Sequence, residues 1–155
     1  MPALSQRSTD RLRGVNPDLI TLLHYLIKVV DFTVLYGVRT AEEQFALFKK
    51  GRGEVSDAWV VVDKKKVVTY CDGYLKKSKH QSGDAVDIVF YHKRPPHIRW
   101  EDTAANFYLV GLALGTADML HKYGAIDSDI ISGANWDDDD ELEDQSWFDV
   151  YHLQR

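Results

Sequence analysis

Helix-like and strand-like segments follow one another along this chain without a regular strand–helix–strand repeat. Apolar residues at helical spacing predict one helix over 17–30 and a second, longer helix over 102–123. Short segments rich in β-branched and aromatic residues predict strands between these helices and after the second. Because a parallel sheet requires crossover helices in a regular order, this irregular order predicts an α+β fold in which helices pack on an antiparallel sheet.

The strands and turns can be placed individually. Strand character predicts five short segments, at 32–36, 58–62, 67–71, 85–90 and 148–153. The second and third are predicted to pair as a β-hairpin across the charged turn 63–66. Thr40 and Glu43 have the spacing of a capping box, which predicts a helix that ends at Gly51. The Gly-x-x-x-Gly spacing at 111–115 predicts close packing of the long helix on the sheet.

Length and composition limit the class of protein. The chain has 155 residues, of which 45% are hydrophobic and 28% charged, so we expect residues 1–155 to form a single domain. Cys71 is the only cysteine, which excludes an intrachain disulfide, a cysteine-rich zinc finger and an iron–sulfur cluster. No apolar stretch reaches the ~20 residues that span a bilayer, and no secretory signal is visible. We therefore expect the chain to be synthesised in the cytoplasm and not to insert stably into a membrane.

Charge is distributed unevenly around a net value of −5. Residues 1–100 carry 17 Lys/Arg against 11 Asp/Glu, whereas residues 101–155 carry 2 against 13. The basic excess of the first part is too small to indicate nucleic-acid binding, and no motif supports it. The acidic run 137–144 has two interpretations. It is either a solvated loop, as most such runs are, or a Ca²⁺ site built from Asp137, Asp138, Asp139, Asp140 and Glu141.

Histidine and aspartate side chains recur in two short segments. His80 and Asp87 flank a predicted loop-to-strand junction, and Asp149 precedes His152 by three residues. Two imidazoles and a carboxylate are ligands that zinc accepts in catalytic sites, and a second carboxylate can serve as a base. Asp149 and His152 would point to opposite faces of a regular strand, so a bend or bulge is needed for both to reach one site. On spacing alone, a structural His–Asp hydrogen bond is the more frequent explanation.

The first of these segments belongs to a longer pattern. Ser-x-His-x-x-Gly-x-Ala-x-Asp is complete here, at Ser78, His80, Gly83, Ala85 and Asp87. It resembles the signature of the zinc D-Ala-D-Ala carboxypeptidases and the phage L-alanyl-D-glutamate endopeptidases. The acidic residue, two residues and histidine at 149–152 resemble the second element of that family, and residues 12–19 and 37–44 look like its N-terminal blocks. The resemblance spans nearly the whole chain in the correct order.

The resemblance implies a hedgehog/DD-peptidase-like zinc peptidase fold and a specific set of site residues. The implied ligands of one catalytic zinc ion are His80, Asp87 and His152. Asp149 is implied as the general base, and Arg39 as the group that binds a substrate carboxylate or stabilises the oxyanion, which suits its permanent charge. A surface ion pair with Glu43 is the alternative interpretation of Arg39. Ser78 and Trp147 are expected to contact substrate, although Ser78 could equally stabilise a turn.

The function implied by the resemblance is zinc-dependent hydrolysis of the L-alanyl-D-glutamate bond in peptidoglycan stem peptides by a phage endolysin. The main alternative is a D-Ala-D-Ala dipeptidase or carboxypeptidase, and the non-enzymatic alternative is a zinc-holding binding or adaptor domain. As an endolysin, the chain is expected to be a monomer. It would be made in the host cytoplasm and would reach the periplasm and cell wall at lysis with the help of a separate holin-type protein.

Overall fold

The computed structural model of the chain describes residues 2–136 and 149–155. Five α-helices occur in this part of the chain: α1 (Gln6–Arg11), α2 (Pro17–Leu26), α3 (Ala41–Phe48), α4 (Lys79–Ser82) and α5 (Thr103–Lys122). They are interspersed with six strands: β1 (Phe32–Tyr36), β2 (Arg52–Val55), β3 (Ala58–Val61), β4 (Ala85–Phe90), β5 (Ile131–Gly133) and β6 (Asp149–Gln154).

Four of these strands form one antiparallel sheet in the order β1-β4-β6-β5. Strands β2 and β3 form a separate two-stranded antiparallel sheet. Helices α2 and α5 pack against each other, and α5 also contacts β4 and β6. The α+β class with an antiparallel sheet, predicted from the irregular order of the elements, is confirmed.

The hydrophobic core lies between the helices and one face of the larger sheet. Buried residues of α5 recur at helical spacing and form an apolar stripe, at Leu109, Ala113, Ala117 and Leu120. They share one cluster with Leu19, Leu22, Leu23, Leu26, Val86, Ile88 and Leu153. Within the described ranges, no helix combines the length and the apolar character needed to cross a bilayer.

Side chains along β4 alternate between the two faces of the sheet, and this alternation sets the direction of Asp87. Val86 and Ile88 belong to the core cluster, so they face the helices. Asp87 lies between them and therefore faces the opposite side of the sheet. Because a central strand is covered on both faces, β4 is almost entirely buried, and Asp87, its one charged residue, is 9% exposed. The face of the sheet that points away from the core thus carries a buried charge.

The predicted hairpin of 58–62 with 67–71 is wrong. Strand β3 instead pairs with β2, across a two-residue turn in which Ser56 and Asp57 both have positive φ angles, 49° and 64°. Positive φ at both central residues is the geometry of a type I′ turn, but the segment lacks the Asn-Gly or Asp-Gly sequence that usually indicates one. Residues 64–66 form a single 3₁₀ turn capped by the Asp63 side chain, so the chain does not reverse there.

Two further predictions need correction. The first long helix ends at Leu26 and continues as hydrogen-bonded turns to Val30, rather than as a helix to residue 30. Gly111 and Gly115 lie on the exposed side of α5, and a Cβ atom at either position would meet nothing within 4 Å. These glycines therefore do not provide the predicted close packing on the sheet, since the contact is made by the alanine and leucine stripe.

Gly83 ends α4 and turns the chain into β4 with a φ angle of +81°. An alanine Cβ at this position would collide with the backbone carbonyl oxygen of Gly14, in addition to the strain of the left-handed conformation. We expect Gly83→Ala to lower the free energy of unfolding by about 3 kcal/mol or more in urea titrations. Gly124→Ala is the matched control, because Gly124 has φ +68° but open space around it, so only the strain of about 1–2 kcal/mol applies. Equal losses in the two variants would contradict the collision at Gly83.

Candidate metal centre

His80 lies in a single helical turn whose N-terminus is capped by side-chain hydrogen bonds. Ser78 caps α4, and its side chain and that of Gln81 form a capping box with the backbone of the turn. The Gln81 amide also donates to the carbonyl oxygen of Gly73, which ties the turn to the preceding loop. As a result, His80 is almost completely buried, and its side chain points to the face of the sheet that carries Asp87.

Asp87 and His152 are brought together by strand register. They are direct cross-strand partners in the antiparallel pair β4–β6, so their side chains lie on the same face of the sheet. The next residues along, Val86 and Leu153, are also partners and point into the core. A one-residue slip in this register would exchange the core pair and the polar pair, so burial of Leu153 fixes the position of His152.

The three side chains converge on one point. The Nε2 atom of His80 lies 3.2 Å from Nδ1 of His152 and 3.3 Å from Oδ1 of Asp87. The third distance, from His152 Nδ1 to Asp87 Oδ1, is 3.1 Å. Three potential metal ligands therefore form a nearly equilateral triangle, although His80 and Asp87 are seven residues apart and His152 is distant in sequence.

The outer nitrogen of each imidazole lies beside a hydrogen-bond acceptor. His80 Nδ1 lies 2.8 Å from the carbonyl oxygen of Gly37, which can only accept, so Nδ1 carries the proton. His152 Nε2 lies 3.1 Å from the side-chain oxygen of Gln154 and can donate to it when Nδ1, which lies 3.1 Å from Asp87 Oδ1, does not carry the proton. With the protons on these outer nitrogens, as metal binding at the inner ones requires, the lone pairs of His80 Nε2 and His152 Nδ1 point into the triangle with Asp87 Oδ1. Second partners of this kind are typical of histidines that bind metals.

The triangle fits a tetrahedral zinc site. At the zinc–ligand bond lengths of about 2.0–2.1 Å, neighbouring ligand atoms of a tetrahedron lie about 3.3 Å apart. The observed edges of 3.1–3.3 Å match this value. Three protein ligands leave a fourth position for water or substrate, as in catalytic zinc sites. Within the described part of the chain, these three residues are the only group of three or more His, Cys, Asp or Glu side chains able to share one ion.

The protonation of these groups reflects their proximity. Burial disfavours ionisation of Asp87, but hydrogen bonds and charge from the two histidines outweigh it and hold the pKa of this carboxyl well below its usual range. Burial likewise opposes protonation of His152, but the hydrogen bond and the charge of Asp87 raise the pKa of its imidazole. Because a metal ligand must be deprotonated, metal binding at His152 is coupled to proton release.

Asp149 lies at the start of β6 and lines the same cleft as the three ligands. Between β5 and β6 the register shifts, so that Ser132 pairs with Leu153 while the next residue, Gly133, pairs with Asp149. This irregularity supplies the departure from a regular strand that the spacing of Asp149 and His152 requires. Burial raises the pKa of the Asp149 carboxyl, and the negative charge of Asp87 raises it further. Asp149 is therefore a poorly solvated carboxylate beside the candidate metal ligands.

Arg39 pairs with the carboxylate of Asp87 rather than with Glu43. Its Nη2 atom lies 3.4 Å from Asp87 Oδ2, and its Nη1 atom donates to the side-chain oxygen of Gln44 at 2.9 Å. The Glu43 carboxylate instead accepts from the Thr40 N–H in the predicted capping box. Arg39 thus binds one oxygen of Asp87 and leaves the other directed at the histidines.

Gln44 connects the arginine to the wall of the cleft. The side chain is fully buried, and its amide nitrogen donates to the Thr69 hydroxyl at 3.1 Å and to the Cys71 carbonyl at 2.9 Å. A buried glutamine with three hydrogen-bond partners fixes the elements that it joins, because each unmet bond would carry a desolvation cost. Gln154 was not identified from the sequence, although its position two residues after His152 on a strand places both side chains on one face.

The remaining predicted contact residues differ in what the structure describes. The Ser78 hydroxyl accepts from the backbone N–H of His80 at 3.3 Å and lines the cleft, so it both caps the helix and faces the site. Trp136 also lines the cleft, with its ring 4.9 Å from that of His152. Trp147 and the candidate calcium ligands Asp137, Asp138, Asp139, Asp140 and Glu141 lie outside the described residues.

The ligand triangle lies in an open cleft of about 710 Å³. This volume is within the range of clefts that bind small ligands or peptide segments. An open cleft with two imidazoles, one carboxylate and a further, partly buried carboxylate has residue types that could hold a metal ion and a base beside it.

The amino-acid sequence matches the phage L-alanyl-D-glutamate peptidase family over residues 2–154. The chain belongs to this family, which confirms the family resemblance and the peptidase activity inferred from its motifs. Among solved structures, a similar fold is found in the L-Ala D-Glu endopeptidase ChiX of Serratia marcescens, with a TM-score of 0.59 and 20% sequence identity. The alignment covers 97% of this chain and 87% of the other, so the likeness in fold extends over the whole chain. No curated protein matches the chain by sequence.

Proposed function

We propose that this protein is a zinc-dependent peptidoglycan hydrolase that cleaves the L-alanyl-D-glutamate bond of stem peptides during lysis of a bacterial host. The observation that carries the proposal is the triangle of His80 Nε2, Asp87 Oδ1 and His152 Nδ1, with edges of 3.1–3.3 Å, in an open cleft of a member of this peptidase family. The distances between these atoms match a tetrahedral zinc site, and imidazole nitrogen and carboxylate oxygen are both ligand types that zinc accepts.

The three ligands would hold the zinc ion, with Gly37 and Gln154 fixing the two imidazoles and Arg39 fixing the carboxylate. When bound, zinc supplies a Lewis acid for the scissile carbonyl and lowers the pKa of water at its open position. The outer hydrogen bonds keep the lone pairs aimed at one point, so little reorganisation is needed when the ion binds.

Asp149 would move the protons of the reaction. It lines the cleft with the ligands, and its raised pKa brings the carboxyl closer to the pH at which a general base is most effective. In this role Asp149 takes a proton from the attacking water and returns it to the amine of the leaving D-glutamyl segment. Both transfers need the carboxylate to be within one hydrogen bond of the reacting atoms.

Arg39 contacts the Asp87 oxygen that does not face the histidines, and it would act on the substrate. Two of its five N–H donors are used by Asp87 and Gln44, so the others are available to a substrate oxygen. A guanidinium fixed in this way can stabilise negative charge that develops on the scissile carbonyl oxygen, or can bind a substrate carboxylate. Ser78 and Trp147 complete the proposed contacts with substrate.

The biological setting follows from the proposed activity. The enzyme would be synthesised in the host cytoplasm, would act as a monomer on peptidoglycan in the periplasm or cell wall, and would depend on a holin-type protein for release. Cell lysis would then result from loss of stem-peptide continuity in the wall.

Digestion of purified muropeptides tests the proposal. We expect the zinc-loaded protein to release fragments with a new N-terminal D-glutamate, identified by mass spectrometry of the new termini. Treatment with a chelator should remove this activity, and zinc added back should restore it, whereas calcium alone should not. Fragments that have lost D-alanine would instead support the carboxypeptidase or dipeptidase alternative, and absence of cleavage by zinc-loaded protein would support a binding or adaptor domain.

A further inference from the structure

Among the described residues that line the cleft, basic side chains outnumber acidic ones, although the chain as a whole is negative. Lys50, Lys77 and Lys79 line it together with Arg39, whereas its acidic side chains in the described part of the chain are Asp87 and Asp149. Four cations against two carboxylates leave an excess of positive charge, in a protein with a net charge of −5. The segment 49–79, which supplies the three lysines, carries nine Lys/Arg against four Asp/Glu.

The three lysines form no ion pairs with the described residues. All three are exposed, and none has a carboxylate of the described residues within salt-bridge distance. By contrast, Lys66 on the neighbouring 3₁₀ turn pairs with Asp63 at 3.0 Å. Exposed lysines that line a cleft and have no ion-pair partner among the described residues raise the local concentration of anions there and favour an anionic ligand.

The backbone that carries these lysines is well fixed. The Asp72 carboxylate accepts from the N–H groups of Tyr74 and Lys76, and these bonds lower the pKa of Asp72 despite the opposing effect of its burial. The capping box of α4 then fixes the residues on either side of Lys79. Lys77 and Lys79 therefore project from a pinned loop, and the two lysines also line a second hollow beside the main cleft.

The bond assigned under the proposed function has a charged neighbour. In an L-alanyl-D-glutamate unit, the glutamate gives its amino group to the scissile bond and has two carboxyl groups. A linear chain continues through only one of them, so the other is a free carboxylate on the leaving side of the bond. This carboxylate has the charge that the cleft complements.

We propose that Lys50, Lys77 and Lys79 form an anion subsite that binds the free carboxylate of the D-glutamate residue and so selects acidic over amidated stem peptides. This inference rests on the proposed function, since it assigns the part of the substrate that the rim of the same cleft recognises. Lysine is a flexible point charge and so binds a carboxylate without the fixed two-bond geometry of arginine. The subsite therefore acts mainly on binding and encounter, whereas the chemistry remains with the residues at the floor of the cleft.

Two synthetic peptides that differ only in this carboxyl group, as the free acid or as the amide, test the subsite. The cleft variant combines Lys50→Gln, Lys77→Gln and Lys79→Gln. Its matched control combines Lys28→Gln, Lys93→Gln and Lys122→Gln, three exposed lysines outside the cleft lining that change the net charge by the same amount. The amide peptide reports whether the catalytic machinery of each variant is intact.

We expect wild-type protein to cleave the acid peptide with the higher kcat/KM. The cleft variant should lose about tenfold in kcat/KM on the acid peptide, mostly through KM, because each exposed ion pair contributes a factor of about two to five. On the amide peptide the cleft variant should remain within about twofold of wild type, and the control variant should do so on both peptides. The preference for the acid should also fall as salt is raised.

Three results would overturn the subsite. They are an unchanged kcat/KM of the cleft variant on the acid peptide, an equal loss on both peptides, and an equal loss in the control variant. Wild-type protein that cleaves both peptides equally well would overturn the subsite and leave the peptidase function standing. Wild-type protein that cleaves neither would instead refute the proposed function, so the two failures are distinguishable.

Discussion

Replacing His80 by alanine is expected to abolish both zinc binding and peptidase activity. The substitution removes one vertex of the ligand triangle and leaves Asp87 and His152, which are too few to hold a catalytic zinc ion. Because the metal contributes several kcal/mol to the stabilisation of the transition state, kcat/KM should fall by more than about 10³-fold. Elemental analysis after dialysis, together with the muropeptide assay, measures both losses.

The loss should occur in a folded protein. His80 lies on the face of the sheet opposite the core cluster, so its removal mainly leaves the Gly37 carbonyl without its imidazole partner, which costs about 1–3 kcal/mol. Urea unfolding of the variant checks this expectation. His121→Ala is the control, because His121 is exposed and pairs with Asp129 away from the cleft. Stoichiometric zinc in the His80→Ala protein would show that the triangle is not the metal site.

The candidate site was more accessible to sequence reasoning than some of the fold. Residues 85–90 are apolar except for Asp87, which predicts a buried strand with one polar position, and Ser78 was expected to contact substrate or to stabilise a turn. These are local properties. The convergence of His80 with His152 depends instead on the pairing of β4 with β6, a long-range contact that spacing alone does not determine and that the family motifs supplied.

The failed hairpin shows where local patterns are insufficient. Residues 67–71 have strand-like composition, but Thr69 and Cys71 bond to the side chain of Gln44 instead of to β3. Strand β2 contains a glycine and charged residues, so its composition did not indicate a strand. The turn that joins it to β3 also lacks the Asn-Gly or Asp-Gly sequence that usually indicates a hairpin. Tertiary hydrogen bonds thus overrode propensity in the segment that forms the wall of the cleft.

The role of Arg39 was also only partly accessible from sequence. An arginine followed four residues later by Glu43 is compatible with a helical ion pair, and this alternative could be weighed only once both partners were located. The structure places the Glu43 carboxylate in the capping box and the guanidinium on Asp87. The same side chain that could contact substrate therefore also orients a candidate metal ligand, so loss of Arg39 would combine two effects that one substitution cannot separate.

Asp149→Asn, in contrast, should separate catalysis from metal binding. Asparagine has nearly the same shape and can still accept the hydrogen bond from the Tyr151 N–H, which lies 3.2 Å from Asp149 Oδ1. It cannot take up a proton at neutral pH, and general-base catalysis typically contributes 10²–10⁴-fold. We therefore expect kcat to fall by about 10³-fold, while zinc content and KM remain close to wild type.

The comparison with His80→Ala makes this prediction specific. Both variants should be inactive on muropeptides, but only His80→Ala should lose the metal, because Asp149 is not part of the ligand triangle. An Asp149→Asn protein that keeps near-normal kcat would exclude Asp149 as the base, and one that loses zinc would assign it to the metal site instead.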